Sequence, residues 1–161
     1  MDFSIRESRP EDLETLWRID QQCFAPGISY SRIELATYMR GRGTLTLVAE
    51  ADPGGGREAE VVGYIVAHGG RSGMGHIITI DVLEPARRAG VGSRLLSAAE
   101  GRLRAVGCRG VYLETAVDNH PAIRFYKRHS YSLGKTIPGY YSNGADAFVM
   151  VKELISPFPG R

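Results

Sequence analysis

Val82-Leu83-Glu84-Pro85-Ala86-Arg87-Arg88-Ala89-Gly90-Val91-Gly92-Ser93 is the stretch on which the reading of this chain turns. Before it, His76-Ile77-Ile78-Thr79-Ile80-Asp81-Val82 is rich in β-branched residues and reads as a strand. After it, from Gly92 to Val106, the residues Leu95, Ala99, Leu103 and Val106 fall on one helical stripe, with Arg94, Arg102 and Arg104 away from it and Gly107 placed to end the helix. Strand gives way to helix across a loop that holds two arginines and two glycines. Free N–H groups, the positive end of the helix dipole and the close approach that glycine permits make such a junction suit a pyrophosphate. No Gly-Lys-Ser/Thr follows and the third glycine of a dinucleotide fingerprint is missing, which disfavours a nucleoside triphosphate or NAD. Taken alone, Arg-x-x-Gly-x-Gly also fits a plain glycine-rich turn.

Outward from this loop, Val111-Tyr112-Leu113-Glu114-Thr115 is a further strand, so His76 to Thr115 forms a strand–helix–strand unit whose right-handed crossover sets two strands parallel. Asn119 caps the next helix, with Pro121 in its first turn and Ala122, Ile123 and Tyr126 facing inward. Tyr131 to Leu133 and Ala147 to Val151, around the turn Gly139-Tyr140-Tyr141-Ser142-Asn143-Gly144, read as two closing antiparallel strands. Toward the N-terminus, Leu45–Ala49 and Val61–Ala67 make an antiparallel hairpin with a mobile, glycine-rich tip, and Phe3–Arg6 alternates like an edge strand. Ser8-Arg9-Pro10-Glu11 reads as a capping box, Ser8 at N-cap and Glu11 at N3, opening a helix whose apolar face carries Leu13, Leu16, Trp17 and Phe24. An apolar loop from Phe24 to Tyr30 interrupts it before Ser31 to Met39 resumes helical spacing.

The 161 residues suit one domain, set here at 1–155 with 156–161 as a flexible tail. Hydrophobic residues at 43% and charged residues at 24% are ordinary globular usage and exclude disordered and collagen-like classes. No apolar run nears the ~20 residues that span a bilayer and the first residues lack a signal peptide's pattern, so the expectation is a cytoplasmic protein with no membrane partner. A net charge of +2 is too small to argue for nucleic acid. Residues 84–109 hold six arginines against two glutamates, which a solvated helix face explains as well as a phosphate backbone does. Cys23 and Cys108 have neither metal-ligand spacing nor histidine neighbours, so they read as two buried free thiols and no metal is expected.

With these residues in view, the chain resembles the GNAT superfamily of acyl-CoA-dependent N-acetyltransferases. Arg87-Arg88-Ala89-Gly90-Val91-Gly92 fits that family's Gln/Arg-x-x-Gly-x-Gly/Ala signature in its strand–loop–helix setting, and Leu113-Glu114-Thr115, Asn119, Ala122-Ile123 and Phe125-Tyr126 fit its second element. Within the superfamily the chain is most similar to the RimI-like protein N-terminal acetyltransferases, through the Phe24–Ser31 loop and the Gly139-Tyr140-Tyr141 turn. It departs at Ala25-Pro26-Gly27-Ile28, where RimI commonly has Pro-Trp, and at Ser130-Tyr131, where Gly-Phe is common.

The resemblance implies an α/β (α+β) GNAT fold: a mixed, mostly antiparallel sheet of about seven strands, a splayed parallel central pair, and about four flanking helices. Acetyl-CoA would be the co-substrate, its arm against Ile80 and Val82, its pyrophosphate on N–H groups of the segment Arg87, Arg88, Ala89, Gly90, Val91, Gly92 and Ser93, with Asn119 and Tyr126 further along. Glu114 would be the base, acting on an amine whose pKa is only ~8 if it is an α-amine, and Tyr126, a phenol of pKa ~10, the acid for the leaving thiolate. His76 is a further relay candidate, and a backbone N–H near Val82 would hold the oxyanion. Phe24, Ile28, Tyr30, Tyr140 and Tyr141 would grip the acceptor. That acceptor is a protein or peptide N-terminus; a small amine or an internal lysine is the alternative within the enzyme class, and a non-catalytic acyl-CoA-binding module the alternative outside it. A monomer or homodimer is expected.

Overall fold

The computed structural model describes residues 1–155, so the tail expected at 156–161 lies outside the described residues. In chain order the strands are β1 (Phe3–Glu7), β2 (Thr44–Ala51), β3 (Glu60–Gly69), β4 (Met74–Val82), β5 (Gly110–Ala116), β6 (Ser132–Ile137) and β7 (Ala147–Glu153). The α-helices are α1 (Leu13–Cys23), α2 (Arg32–Arg40), α3 (Val91–Ala105) and α4 (His120–Arg128). The strands form one sheet in the order β1-β2-β3-β4-β5-β7-β6. Every neighbouring pair is antiparallel except β4 and β5. The mixed sheet, its parallel pair and the four helices agree with the fold expected from the sequence.

Each face of the sheet is covered by one helix pair. On one, Leu95, Leu96, Ala99 and Leu103 of α3 and Tyr126 of α4 bury against Ile65, Ile77, Val111 and Leu113. On the other, Leu16 and Ile19 of α1 and Leu35 of α2 bury against Val48, Tyr64 and Val66. A bulge redistributes β4 between these faces, since Val66 faces Thr79 while the adjacent Ala67 faces Ile77, leaving Ile78 without a partner. Gly75 and Ile77 therefore face α3. Beyond the extra residue the alternation is inverted, so that Ile80 and Val82 pack on the α3 side while Thr79 and Asp81 turn toward α1.

Two local expectations are corrected. The capping box does not use Ser8 and Glu11: Arg9 is the N-cap of a 3-10 turn over Pro10–Asp12, and Asp12 accepts the Arg9 amide at 2.6 Å. Asp12 prevails because the Arg6 guanidinium grips both its oxygens, at 2.8 and 3.0 Å, while giving its Nε to Glu50 at 2.7 Å. Phe24 is not on the apolar face of α1, because the helix stops at Cys23. Pro26 disfavours helical backbone at Ala25, and Phe24 becomes an extended cap. The departure at Ser130 also has a structural consequence, since this residue holds φ +72 in the left-handed region that glycine adopts freely.

Candidate active site

The parallel strands pair only through Met74–Gly110, Gly75–Val111 and His76–Tyr112, and then part. The opening is a cavity of about 890 Å³, walled by Ile77–Val82, Leu113–Ala116, the loop before α3, the first turns of α4 and the Phe24–Tyr30 segment. The Leu83 amide donates back to Val62 of β3 at 2.9 Å. Strand alternation then aims the amides of Val82 and Ile80 the other way, into the opening. The Val82 carbonyl is already engaged, accepting from Arg87 Nε at 2.9 Å and from the Cys23 thiol at 3.6 Å. Of the two backbone groups expected to serve at Val82, the N–H is therefore the open one, and the Arg87 side chain turns back onto the strand.

The loop before α3 is a cradle of amides, though a smaller one than the signature suggests. Arg87 and Ala89 spend their N–H groups on the carbonyls of Glu84 and Ala86, each at 3.2 Å. Helical bonding begins only at Arg94, which donates to Gly90. Arg88, Gly90, Val91, Gly92 and Ser93 thus keep amides with no acceptor among the described residues. Gly90 makes the turn possible, as the N-cap of α3 with φ +82. Gly92 leaves room for Phe125, whose Cζ would lie 3.3 Å from a Cβ placed there. The Ser93 hydroxyl is paired with His129 Nε2 at 3.0 Å. Asn119 caps α4 through Ala122 at 3.3 Å and also lines the cavity.

Of the groups able to move protons, Glu114 and Tyr126 line the cavity and His76 does not. His76 Nε2 lies 2.6 Å from Glu114 Oε2, both side chains largely buried. Sequence places them 38 residues apart, and the register that seats His76 opposite Tyr112 brings them together. Tyr112 supports the pair: its ring stacks on the imidazole with centroids 4.3 Å apart and planes 5° from parallel. Tyr126 faces the cavity from α4, and burial, aided by Asp81, pushes its phenol above the ordinary value. It is a neutral donor at neutral pH.

The wall expected to grip the acceptor is built from two loops that dock on each other. The Ser142 hydroxyl donates to the Gly27 carbonyl at 2.9 Å, and Gly27, at φ +90, lies so near Asn143 that a Cβ would come within 2.7 Å of the asparagine Cβ. Phe24, Ile28, Tyr30 and Tyr141 line the cavity, whereas Tyr140 stays at its rim. Tyr140 packs edge-on against Tyr141 at 4.9 Å, and burial followed by the nearby Glu114 carboxylate pushes its phenol up to about 12. Tyr30 is fixed three ways: its amide donates to Asp20 at 2.6 Å, its carbonyl accepts from Gln21 at 2.7 Å, and its hydroxyl donates to Ile78 at 3.3 Å.

Several lining residues escaped the sequence reading. Cys23 is half-buried in the cavity wall, where burial and Asp81 push its thiol up to about 11. Arg124 and Arg128 also line the cavity from α4, and their four-residue spacing on one helix face was the available signal. Tyr112 carried no such signal, because only strand register reveals its neighbour.

A family model described as Acetyltransferase (GNAT) family matches residues 13–131. An N-alpha-acetyltransferase of Sulfurisphaera tokodaii is 31% identical, the match covering 95% of this chain and 94% of the relative. The crystal structure of Ard1 from Thermoplasma volcanium superposes with a TM-score of 0.85 at 29% identity, covering 97% of this chain and all of that one. The ribosomal-protein-S18-alanine N-acetyltransferase of Escherichia coli shares the fold, with a TM-score of 0.82 at 20% identity over 99% of each chain.

Proposed function

The chain belongs to the acetyltransferase (GNAT) family, and from that premise we propose that it moves the acetyl group of acetyl-CoA to the α-amine of a peptide or protein N-terminus, by direct attack within one ternary complex. The observation that carries this reading is the cavity between the parted strands, lined by Glu114, which is bonded to His76, and by Tyr126. Attack on a thioester requires a neutral amine, a donor for the oxyanion and an acid for the departing thiolate. Glu114, bonded to His76, takes the ammonium proton. The Val82 amide, open to the cavity, supplies the oxyanion donor, and the neutral Tyr126 hydroxyl protonates the sulfur. The amides of Arg88, Gly90, Val91, Gly92 and Ser93 hold the pyrophosphate at the N-terminus of α3.

The acceptor reading rests on the docked loops, which offer aromatic and apolar walls from Phe24, Ile28, Tyr30 and Tyr141 and no lysine or arginine. They suit a peptide whose first side chain is uncharged and whose amine points at Glu114. The basic run over 84–109 is better explained by the fold than by nucleic acid. Arg87 bonds Val82, Arg94 covers the Phe3 ring, Arg102 pairs with Glu7 and Arg104 bonds Leu154. No described helix is long and apolar enough to cross a membrane. We place the enzyme in the cytoplasm, with residues 1–155 as one catalytic unit acting as a monomer or homodimer. Incubation with acetyl-CoA and a library of free-N-terminus peptides should yield peptides acetylated at the α-amine, located by fragmentation mass spectrometry. Acetyl-CoA binding with no thiol release on any amine would contradict the reading.

A further inference from the structure

Two buried carboxyl groups beside the cavity, one of them in its wall, are left unused by acetyl transfer. Asp20, in α1, is wholly buried, and Asp81, turned toward α1 by the β4 bulge, is 1% exposed. Each is half satisfied: Asp20 Oδ2 accepts the Tyr30 amide at 2.6 Å, and Asp81 Oδ1 accepts the Thr79 hydroxyl at 2.6 Å. Asp20 Oδ1, Asp81 Oδ2 and the Tyr64 hydroxyl are buried with no other partner among the described residues. The two carboxyl groups face each other where α1 packs on β4, with the Tyr64 side chain beside them.

Two ionised carboxylates would repel in this setting and leave those oxygens without donors. One proton between Asp20 Oδ1 and Asp81 Oδ2 removes both problems. The remaining groups facing the cluster are Cys23 from α1, Glu34 from α2, Tyr30 from the loop and Tyr126 from α4. None of these is a cation, and Arg87 is directed at Cys23 and the Val82 carbonyl. Burial, the largest cause, pushes both carboxyl groups above the ordinary aspartate value.

We propose that Asp20 and Asp81 share one proton and act as a positioning pair that anchors the Tyr30 wall of the acceptor site to β4. The proposal rests on the reading of that wall as the acceptor's, and it makes peptide capture depend on a proton that no step of the transfer itself moves. With the proton present, Asp20 is a fixed acceptor for the Tyr30 amide. Its loss at alkaline pH would drive the carboxylates apart and release that amide.

Asp81→Asn tests the shared proton, because the carboxamide N–H can replace it at every pH while the carboxamide oxygen keeps Thr79 as its donor. The wild-type enzyme should show peptide KM, and Tyr30 amide exchange relative to neighbouring amides, rising toward alkaline pH. Asp81→Asn should keep the neutral-pH values of both, within about twofold, across the range. Asp20→Ala should raise peptide KM about tenfold while acetyl-CoA affinity stays within about twofold. Identical pH courses for wild type and Asp81→Asn would overturn the shared proton, a result that needs only folded protein. Unchanged Tyr30 exchange and peptide KM in folded Asp20→Ala would overturn the positioning role. Faster Tyr30 exchange with unchanged peptide KM would also overturn it, by showing that the wall does not meet the acceptor. If wild type acetylated no peptide, the functional reading would fail while Tyr30 exchange still reported on the pair.

Discussion

The proposed transfer divides the chemistry between Glu114 and Tyr126, so their loss should separate in kinetics. Tyr126→Phe removes the thiolate's donor and leaves the ring packed against Phe125 and Tyr131. It should lower kcat by about 10²-fold with acetyl-CoA affinity nearly unchanged, measured in a chemistry-limited assay. Glu114→Gln should lose most below the acceptor's pKa of ~8, where more of the amine needs deprotonation. Full turnover in Tyr126→Phe would remove it from the mechanism. Both residues could be named from sequence because each belongs to a local pattern, a strand Leu-Glu-Thr and a helix Phe-Tyr. His76 was ambiguous there, since a histidine at a strand end has no partner until register seats it beside Glu114. Asp20 and Asp81 were invisible as a pair for the same reason, because α1 and β4 meet only in the packed molecule.

At the scale of elements, glycine loops decide where amides and walls stand. Gly90 holds φ +82 before α3, a conformation costing an L-residue about 1–2 kcal/mol. No protein atom lies within 4 Å of a Cβ built there, so Gly90→Val should fold. It should bind acetyl-CoA at least about tenfold more weakly by calorimetry, because the backbone must leave the geometry that aligns the neighbouring amides. Gly27 acts differently, since its side chain would collide with Asn143 as well as strain the backbone. Gly27→Val should separate the two acceptor loops, raising peptide KM severalfold while leaving acetyl-CoA affinity intact. The Gly90 loop was legible because a strand, a glycine turn and a helix follow one another directly. The β4 bulge was not, because a run such as Ile77-Ile78-Thr79-Ile80 is apolar on both faces and hides an extra residue. The misplaced capping box has a tertiary origin too, as Arg6 on β1 selects Asp12 over Glu11.

For the molecule as a whole, Arg6 ties β1 to the 3-10 turn and to β2 by holding Asp12 and Glu50 together. Its guanidinium keeps the Asp12 carboxyl below the ordinary 3.8. A carboxyl whose folded pKa is depressed contributes stability that is whole above the unfolded value and lost as pH falls through the folded one. Arg6→Gln should therefore cost about 2 kcal/mol at neutral pH, with the deficit shrinking below about pH 4, in denaturant titrations at several pH values. The parallel pairing of β4 and β5 followed from the crossover rule and their parting from the resemblance, which is why the site could be located before its geometry was known. The acceptor was less legible, because its walls come from loops far apart in the chain that dock through Ser142 and Gly27.

The central claim, transfer to an N-terminal α-amine, is tested most directly by kcat/KM measured side by side for two peptides that are otherwise identical in sequence. One has a free N-terminus and no lysine, and the other a blocked N-terminus and one internal lysine. A lysine amine has a pKa of ~10.4 against ~8 for an α-amine, so about two hundredfold less of it is neutral at pH 7. The free-N-terminus peptide should be preferred by at least that factor, with the acetyl group on its first residue. A blocked lysine peptide acetylated as efficiently as the free-N-terminus one, or more so, would contradict the account.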